Sequence, residues 1–284
     1  RGGNIVNILV IHSHNANRGD EAAVKAMVDE LLIKYPGATI TISNNGFTPY
    51  PGMPENVIQI DRFPKLESRM AQLEFFIVLL FKGKFAFTKE ARKFIRALKE
   101  ADVVLHAPGG PSIGDTYFKA EKLYLWRLNL IRRMGIPYIF YAPSMGPFNC
   151  TSRNKLRKEV ISGAERIVLR DPISVKYVKD FLPGVEVEQA LDSALQHDID
   201  IDKNERKYNN YPELKNFIEN HEKCIGITIT DLKWHPVHKN EKIIEQIPTA
   251  FKAFITQKVK EGYGVVFIPQ LYGNLNDTKV MNDY

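Results

Sequence analysis

The feature that most constrains the fold is an alternation of short apolar runs with amphipathic segments along the first 195 residues. The apolar runs are rich in Ile and Val, and several lack the polar alternation of a half-exposed strand, so they predict buried strands. Strands are predicted at residues 5–11, 38–43, 57–61, 102–106, 138–142, 166–170 and 185–189. Helices are predicted at residues 21–35, 89–101, 119–134, 153–163 and 173–181. This rhythm is typical of a parallel sheet with helices on both faces, and it predicts an open Rossmann-like α/β domain.

The pattern changes after residue 195. Residues 196–222 are rich in charged and amide side chains and poor in apolar ones, which predicts a connection between two domains. The α/β rhythm then restarts, with a strand at 224–229, a helix at 241–261 and a strand at 265–268. We therefore expect an N-terminal domain at 1–195, a linker at 196–222 and the start of a second Rossmann-like domain at 223–284. Because two strands and one helix cannot cover both faces of a parallel sheet, we expect the second domain to be incomplete in this chain.

The net charge and the cysteine content indicate which binding partners and which cellular compartment to expect. The 284 residues include 39 basic and 33 acidic side chains, a formal surplus of +6. So mild a surplus favours phosphorylated small molecules or acidic lipid as partners, and it does not indicate a nucleic-acid binder. The two cysteines, Cys150 and Cys224, form no CxxC pair, and the first residues do not have the pattern expected of a signal peptide. We therefore expect reduced thiols and a cytoplasmic protein.

One segment raises the question of a membrane. The longest apolar run, residues 75–81, has seven residues, whereas a membrane-spanning helix needs about 20. Basic residues follow, and at helical spacing five of them share one face: Lys89, Arg92, Lys93, Arg96 and Lys99. Such a helix either lies on an anionic membrane surface or packs its opposite, apolar face on the core. The first alternative predicts peripheral contact with the cytoplasmic face of a membrane.

Four loops follow predicted strands, and ligands bind at the carboxyl ends of strands in an open parallel sheet. The first loop, residues 12–21, contains neither the GxGxxG motif nor the Lys-Ser/Thr pair of a P-loop. Its Gly19 permits a tight turn, and Asp20 and Glu21 stand at a helix start, where negative charge is favoured. These two acids either cap the helix or contact a ligand.

The second loop, residues 107–115, contains paired glycines. Gly109 and Gly110 let a ligand approach the backbone, whose N–H groups can bind an anion or a hydroxyl. Asp115 adds a carboxylate that can accept a hydrogen bond from a sugar hydroxyl. The alternative is a simple chain reversal, since Pro and Gly also favour turns.

The third and fourth loops add further polar groups. Residues 144–148 contribute Ser144 and Gly146 at the end of a predicted strand. The fourth loop begins with Arg170 and Asp171, just before the predicted helix 173–181. An arginine there can bind a carboxylate or phosphate through two hydrogen bonds, and the helix N-terminus adds attraction for anions. A structural Arg170–Asp171 ion pair is the alternative.

Together these loops resemble those of the polysaccharide pyruvyl transferase family. The resemblance rests on residues 17–22 (Asn-Arg-Gly-Asp-Glu-Ala), Gly109-Gly110 with Asp115, Gly146-Pro147, Arg170-Asp171 with Ser174, and Asp192 with Ala194. It implies two Rossmann-like domains similar to B-type glycosyltransferases, with the active site in the cleft between them. It also implies transfer of pyruvate from phosphoenolpyruvate to a sugar as a ketal. The chain departs from the family at Gln270, where a histidine usually follows the strand.

The implied chemistry assigns roles to particular side chains. We expect Arg170 to bind the donor anion, and Asp20, Glu21 and Asp115 to contact the acceptor hydroxyls, with one of these carboxylates, Asp20 in our assignment, as the base. The candidates for the acid are His235 and His238, because imidazole titrates near neutrality. The other predicted substrate contacts are Asn17, Gly19, Gly109, Gly110, Ser144, Gly146 and Gln270. The chemistry requires no organic cofactor, and the two histidines lack a third partner for a metal.

The expected acceptor is a saccharide or a lipid-linked oligosaccharide. Two alternatives stay open at this point, because a fold does not fix a function. One is a glycosyltransferase of similar architecture that uses a sugar nucleotide as donor. The other is a non-catalytic relative, which the glutamine at position 270 favours.

Overall fold

The structure is a computed structural model that describes residues 6–45, 49–65, 68–196, 199–235, 242–273 and 276–284. Its strands are β1 (Asn7–Ser13), β2 (Thr39–Asn44), β3 (Val57–Asp61), β4 (Val103–His106), β5 (Gly109–Ile113), β6 (Tyr138–Tyr141), β7 (Pro143–Met145), β8 (Arg166–Leu169), β9 (Glu188–Gln189), β10 (Lys223–Ile227) and β11 (Tyr263–Phe267). Its helices are α1 (Arg18–Lys34), α2 (Arg69–Leu80), α3 (Lys89–Glu100), α4 (Phe118–Met134), α5 (Asn154–Ser162), α6 (Pro172–Phe181), α7 (Ile201–Asn209), α8 (Pro212–Glu219), α9 (Ile243–Lys260) and α10 (Asp277–Met281). The chain divides into two compact units: residues 1–15 with 19–197, and residues 16–18 with 198–284.

The first unit is built on a parallel sheet of seven strands in the order β3-β2-β1-β4-β6-β8-β9. Every pair of neighbours in this sheet is parallel, as in the pairing of Ile8 with both Ile40 and Val103. The strand order reverses beside β1, between β2 and β4, which is where open α/β sheets bind ligands. Because all seven strands are parallel, their carboxyl ends lie at one edge of the sheet.

Alternate residues of β1 reach two separate cores, one on each face of the sheet. Leu9 and Ile11 belong to the larger core, whereas Ile8 and Val10 belong to the other. All four residues are almost fully buried, which explains why the strand reads as a continuous apolar run. The two covered faces confirm the predicted α/β layering.

The predicted strands before residue 195 are the seven strands of this sheet, within a few residues at their ends. The short parallel pair β5–β7 was not predicted. Helix α2 was also missed, because it is apolar on both sides and shows no amphipathic pattern.

Helix α3 settles one of the open alternatives from the sequence. Its apolar side chains, Ala91, Phe94, Ile95 and Leu98, are buried in the larger core. The five basic side chains on its other face are exposed. The apolar face of α3 is thus occupied by the protein itself.

The second unit contains a two-stranded parallel sheet, β10 with β11, connected through α9. Its small core is formed by Ile227, Ile229 and Met281, with partly buried neighbours that include Phe251 and Phe267. Helices α7 and α8 occupy most of the segment predicted as a linker, and their residues group with this unit. Neither helix has a buried residue, which explains why this segment is polar although it is helical.

Candidate active site

Arg170 follows β8 directly and is held at the carboxyl edge of the sheet. Its Nη1 donates to Asp192 Oδ2 at 2.5 Å, and its Nε donates to Ser144 Oγ at 3.0 Å. The side chain keeps about a quarter of its surface exposed. Since Arg170 has five N–H donors, these two contacts fix its orientation and leave donors for a bound anion.

Asp171 caps helix α6. Its Oδ1 accepts from the backbone N–H of Ser174 at 2.7 Å, and its Oδ2 accepts from the hydroxyls of Ser174 and Ser144 at 2.7 and 2.8 Å. Burial opposes ionisation here, but these hydrogen bonds lower the pKa of Asp171 below its ordinary value. Arg170 therefore pairs with Asp192 and not with Asp171, which caps helix α6.

Asp20 lies in the first turn of α1, beside the glycine-rich strand β5. Burial raises its pKa to about 6, Arg170 opposes the rise and Asp192 adds to it. Asp20, Arg170 and Asp192 thus lie close enough for the two others to influence the pKa of Asp20. A carboxyl group with a pKa near 6 exchanges protons readily at neutral pH, which suits a general base.

The paired glycines differ in what surrounds them. Gly109 has φ +144°, and a Cβ there would lie 3.2 Å from Asp20 Oδ1, so the glycine makes room for this carboxylate. Gly110 faces open space, which is compatible with the predicted approach of a ligand to its backbone. Gly146 is packed instead: a Cβ would lie 2.6 Å from the Tyr177 ring, which indicates a packing role.

Asp115 is engaged in a buried network. Its Oδ1 accepts from Arg157 Nη2 at 2.7 Å, and its Oδ2 accepts from the backbone N–H of Cys150 at 2.9 Å. Arg157 also forms a two-pronged ion pair with Glu121, at 2.7 and 2.9 Å, and both of these side chains are fully buried. Glu121 in turn accepts from the backbone N–H of Gly114 at 2.8 Å. These contacts favour a structural role for Asp115, as a support of the loop that carries Gly109 and Gly110.

The structure brings together a polar cluster that the sequence reasoning missed. His12 on β1 contacts the His106 ring on β4 and the Tyr124 ring on α4, at centroid distances of 4.7 and 4.6 Å. Nearby, His14 Nε2 lies 3.3 Å from the Tyr124 hydroxyl. Neither ring nitrogen of His12, nor the side-chain amide of Asn15, has a partner among the described residues. The only signal in the sequence is the His-x-His spacing at the end of β1.

These histidines are neutral. Burial lowers the pKa of His12 well below its ordinary value and the pKa of His14 and His106 to about 4, and the neighbouring histidines or Arg127 lower each further. His106 Nδ1 donates to the Ala107 carbonyl at 2.8 Å, so its Nε2 accepts from Ser112 at 2.7 Å. The cluster therefore offers hydrogen bonds without positive charge from its imidazoles.

Of the remaining predicted residues, Gly19 and Glu21 lie in the first unit, and Asn17, Gln270 and His235 lie in the second. Asn17 forms an antiparallel bridge with Leu271, and the Gln270 carbonyl accepts from the Arg18 backbone N–H at 3.0 Å, so Asn17 and Gln270 are neighbours. The backbone N–H of Gln270 donates to the buried Asp277 at 2.9 Å. His235 follows a short 3₁₀ helix and is partly buried. His238 lies outside the described residues.

A comparison with protein-family models decides the family. The model of the polysaccharide pyruvyl transferase family matches residues 17–282, nearly the whole chain. The chain belongs to the polysaccharide pyruvyl transferase family. The family-motif residues Asp20, Arg170 and Asp192 lie within this match, whereas His12 and His14 precede it. No curated protein matches the chain in sequence.

This member of the pyruvyl transferase family is similar in fold to several solved structures. The S. aureus MnaA–UDP co-structure is similar with a TM-score of 0.55 at 12% identity, over 98% of this chain and 66% of that one. A putative UDP-N-acetylglucosamine 2-epimerase from Listeria monocytogenes gives 0.54 at 13% identity, over 96% and 64%. A glycosyltransferase from Rickettsia africae gives 0.50 at 11% identity, over 93% and 69%. The predicted fold of B-type glycosyltransferases is confirmed, and the chain spans slightly less than two thirds of the length of the first two structures.

Two features are absent from the described residues of this family member. They contain no group of three or more His, Cys, Asp or Glu side chains that is arranged to hold a metal ion. None of the helices in the described part of the chain is both long and apolar enough to cross a membrane.

Proposed function

We propose that the protein transfers pyruvate from phosphoenolpyruvate to two hydroxyls of one sugar, in a polysaccharide or its lipid-linked precursor. Each hydroxyl oxygen forms a bond to C2 of the donor, and the C2–O bond to phosphate breaks. One hydroxyl proton is balanced by protonation of the methylene carbon to a methyl group. The other leaves with phosphate, so the products are a carboxyl-bearing ketal and hydrogen phosphate.

The observation that carries the proposal is the grouping of Asp20 with Arg170 and Asp192 at the carboxyl edge of the first unit. The pKa of Asp20, raised to about 6 by burial, fits a base that removes a hydroxyl proton near neutral pH. Its proximity to Arg170, which opposes that rise, brings the base to the residue proposed to bind the donor. A base and a bound electrophile must meet for the ketal to form.

The donor brings a carboxylate and a phosphate, so its site must supply positive charge. Arg170 is held by Asp192 and Ser144 in a fixed orientation, and an oriented guanidinium loses little freedom on binding an anion. Helix α6 begins two residues after it, but the carboxylate of Asp171 already caps its N-terminus, so the positive charge proposed for the donor is that of Arg170. The donor is a substrate, and the proposed reaction uses no metal or organic cofactor.

Other residues are proposed for the acceptor and for the acid. Glu21 and the open backbone at Gly110 are the proposed contacts for acceptor hydroxyls. His235 and His238 stay the proposed acids for the methylene carbon, and Asn17 and Gln270 stay proposed substrate contacts in the second unit.

Calorimetry with phosphoenolpyruvate tests the donor site. We expect Arg170→Ala to weaken binding by about ten- to a hundred-fold, the size of a hydrogen bond to a charged group. Arg166→Ala is the matched control, because Arg166 begins β8, the strand that Arg170 follows, and forms an exposed pair with Glu188 at 2.5 Å. Unchanged binding in Arg170→Ala would refute the anion role. Binding of a sugar nucleotide and none of phosphoenolpyruvate would favour the glycosyltransferase alternative.

A further inference from the structure

Helix α2 presents a second apolar face that the described part of the protein leaves uncovered. Phe75, Val78 and Leu79 are buried in the core. On the opposite side, the exposed large side chains are Met70, Leu73, Phe76 and Leu80. A helix that is apolar on both sides needs a second apolar environment, because contiguous exposed apolar surface is rare on soluble proteins without a partner.

Three phenylalanines after α2 extend this face. Phe81, Phe85 and Phe87 are exposed, and the seven side chains from Met70 to Phe87 expose between 44% and 74% of their surface. Glu74 fixes this segment against α2, because its carboxylate accepts from the backbone N–H groups of Phe87 and Thr88 at 2.6 and 2.7 Å. Met70, Leu73 and Phe87 line a common groove of about 390 Å³. Met70, Leu73 and Phe87 therefore lie on one surface, and the rings of Phe81 and Phe85 contact each other just after α2.

The same stretch carries the positive charge of the molecule. Residues 62–99 contain ten basic and three acidic side chains, a net +7, whereas the whole chain has +6, so all other residues together have −1. The basic side chains are Arg62, Lys65, Arg69, Lys82, Lys84, Lys89, Arg92, Lys93, Arg96 and Lys99. One of the three acids, Glu74, is buried. The apolar face and this charge together are named here the basic–apolar surface.

We propose that the basic–apolar surface docks on an anionic membrane. The side chains of the exposed α2 face enter the boundary between headgroups and acyl chains, and the lysines and arginines around them contact anionic headgroups. Helix α3 supplies charge alone, since its apolar side chains are already in the core. A second copy that packed through this same surface would bring another +7 against it, so charge complementarity favours an anionic lipid surface as the occupant.

Flotation of the full chain with vesicles tests this proposal without reference to catalysis. We expect binding to vesicles of mixed phosphatidylserine and phosphatidylcholine, weak binding to phosphatidylcholine alone, and loss of binding at about 1 M salt, where screening is strong. Lys82→Gln with Lys84→Gln removes two exposed charges and should weaken binding about 25-fold, since each lysine contributes about five-fold. Leu73→Ser with Phe76→Ser should weaken it at least about ten-fold.

Matched controls separate this surface from general charge and hydrophobicity. Lys119→Gln with Lys155→Gln removes two exposed lysines elsewhere on the first unit, and Ile173→Ser removes an exposed apolar side chain on α6. These variants should bind as the unaltered chain does, and circular dichroism melts check that all variants fold. Failure of the unaltered chain to bind anionic vesicles, or equal losses in test and control variants, would overturn the proposal. A dimer that dissociates when Leu73 and Phe76 are replaced would overturn it too, because it would identify a second copy as the occupant.

Discussion

Replacing Asp20 with asparagine should make the protein more stable at neutral pH while it removes the proposed base. The folded protein holds this carboxyl where burial disfavours its charged form. Asparagine has nearly the same shape and no charge, so the variant is spared the cost of ionising the group. A gain in stability accompanied by a loss of activity is the expected signature of a catalytic group held in a strained electrostatic setting.

The size of the gain follows from the pKa of Asp20. Burial raises it from 3.8 to about 6, and each unit of pKa corresponds to about 1.4 kcal/mol, which gives an upper value of about 3 kcal/mol. Because Asp20 is only partly buried, solvent screens part of this effect, and we expect about 1–2 kcal/mol.

The raised pKa of Asp20 also predicts how the unfolding free energy depends on pH. Between pH 3.8 and about 6 the folded state binds more protons at Asp20 than the unfolded state does, so this group's contribution to stability is present at low pH and is lost as pH rises through about 6. Asp20→Asn does not titrate. The difference in unfolding free energy between variant and unaltered protein should therefore be near zero at pH 4 and reach its full value above pH 6.5.

Urea unfolding at pH 4, 5.5 and 8 measures this difference, and all other titrating groups cancel in it. Asp29→Asn is the control, because Asp29 lies on the same helix and pairs with Lys25 at 2.5 Å. A variant less stable than the unaltered protein at pH 8, or a difference that is the same at all three pH values, would refute the reasoning.

Two further predictions concern buried groups of the first unit. The buried neutral histidines bind fewer protons when folded than when unfolded between about pH 4 and 6.5, so stability should fall as pH is lowered through that window. His106→Gln should reduce this slope by about 1.4 kcal/mol per pH unit, measured by urea unfolding, and an unchanged slope would show that His106 is protonated in the fold. Glu121→Gln breaks the buried pair with Arg157 and should cost about 3–5 kcal/mol of unfolding free energy, against less than about 1 kcal/mol for Glu159→Gln in its partly exposed pair. Equal losses in these two variants would contradict the buried-pair assignment.

The sequence predicted the sheet of the first unit well because its strands are buried on both faces. Leu9 and Ile11 enter one core and Ile8 and Val10 the other, so the run is apolar throughout and stands out from its surroundings. Helix α2 was not predicted, for a different reason. Its second apolar face is exposed, which the rule of one buried stripe per surface helix does not anticipate.

The candidate site was predictable where loop chemistry alone defines a residue, and not where tertiary contacts decide its role. Asp20 lies at the start of the helix after β1 and Arg170 follows β8, and Arg170 is close enough to influence the pKa of Asp20. Asp115 has the same chemistry, but only the fold reveals that Arg157 holds it from 42 positions away in the sequence. The contact of His12 with His106 likewise joins two strands that are distant in sequence.

The most direct test of the central claim is to follow labelled phosphoenolpyruvate during incubation with the protein and extracted lipid-linked saccharide. With ¹³C at C2 of the donor, we predict phosphate release that depends on the acceptor, and a saccharide product whose labelled carbon resonates as a ketal. Asp20→Asn and Arg170→Ala should abolish both signals while remaining folded. Label that stays in the donor, with a nucleoside diphosphate released from an added sugar nucleotide in its place, would contradict the account.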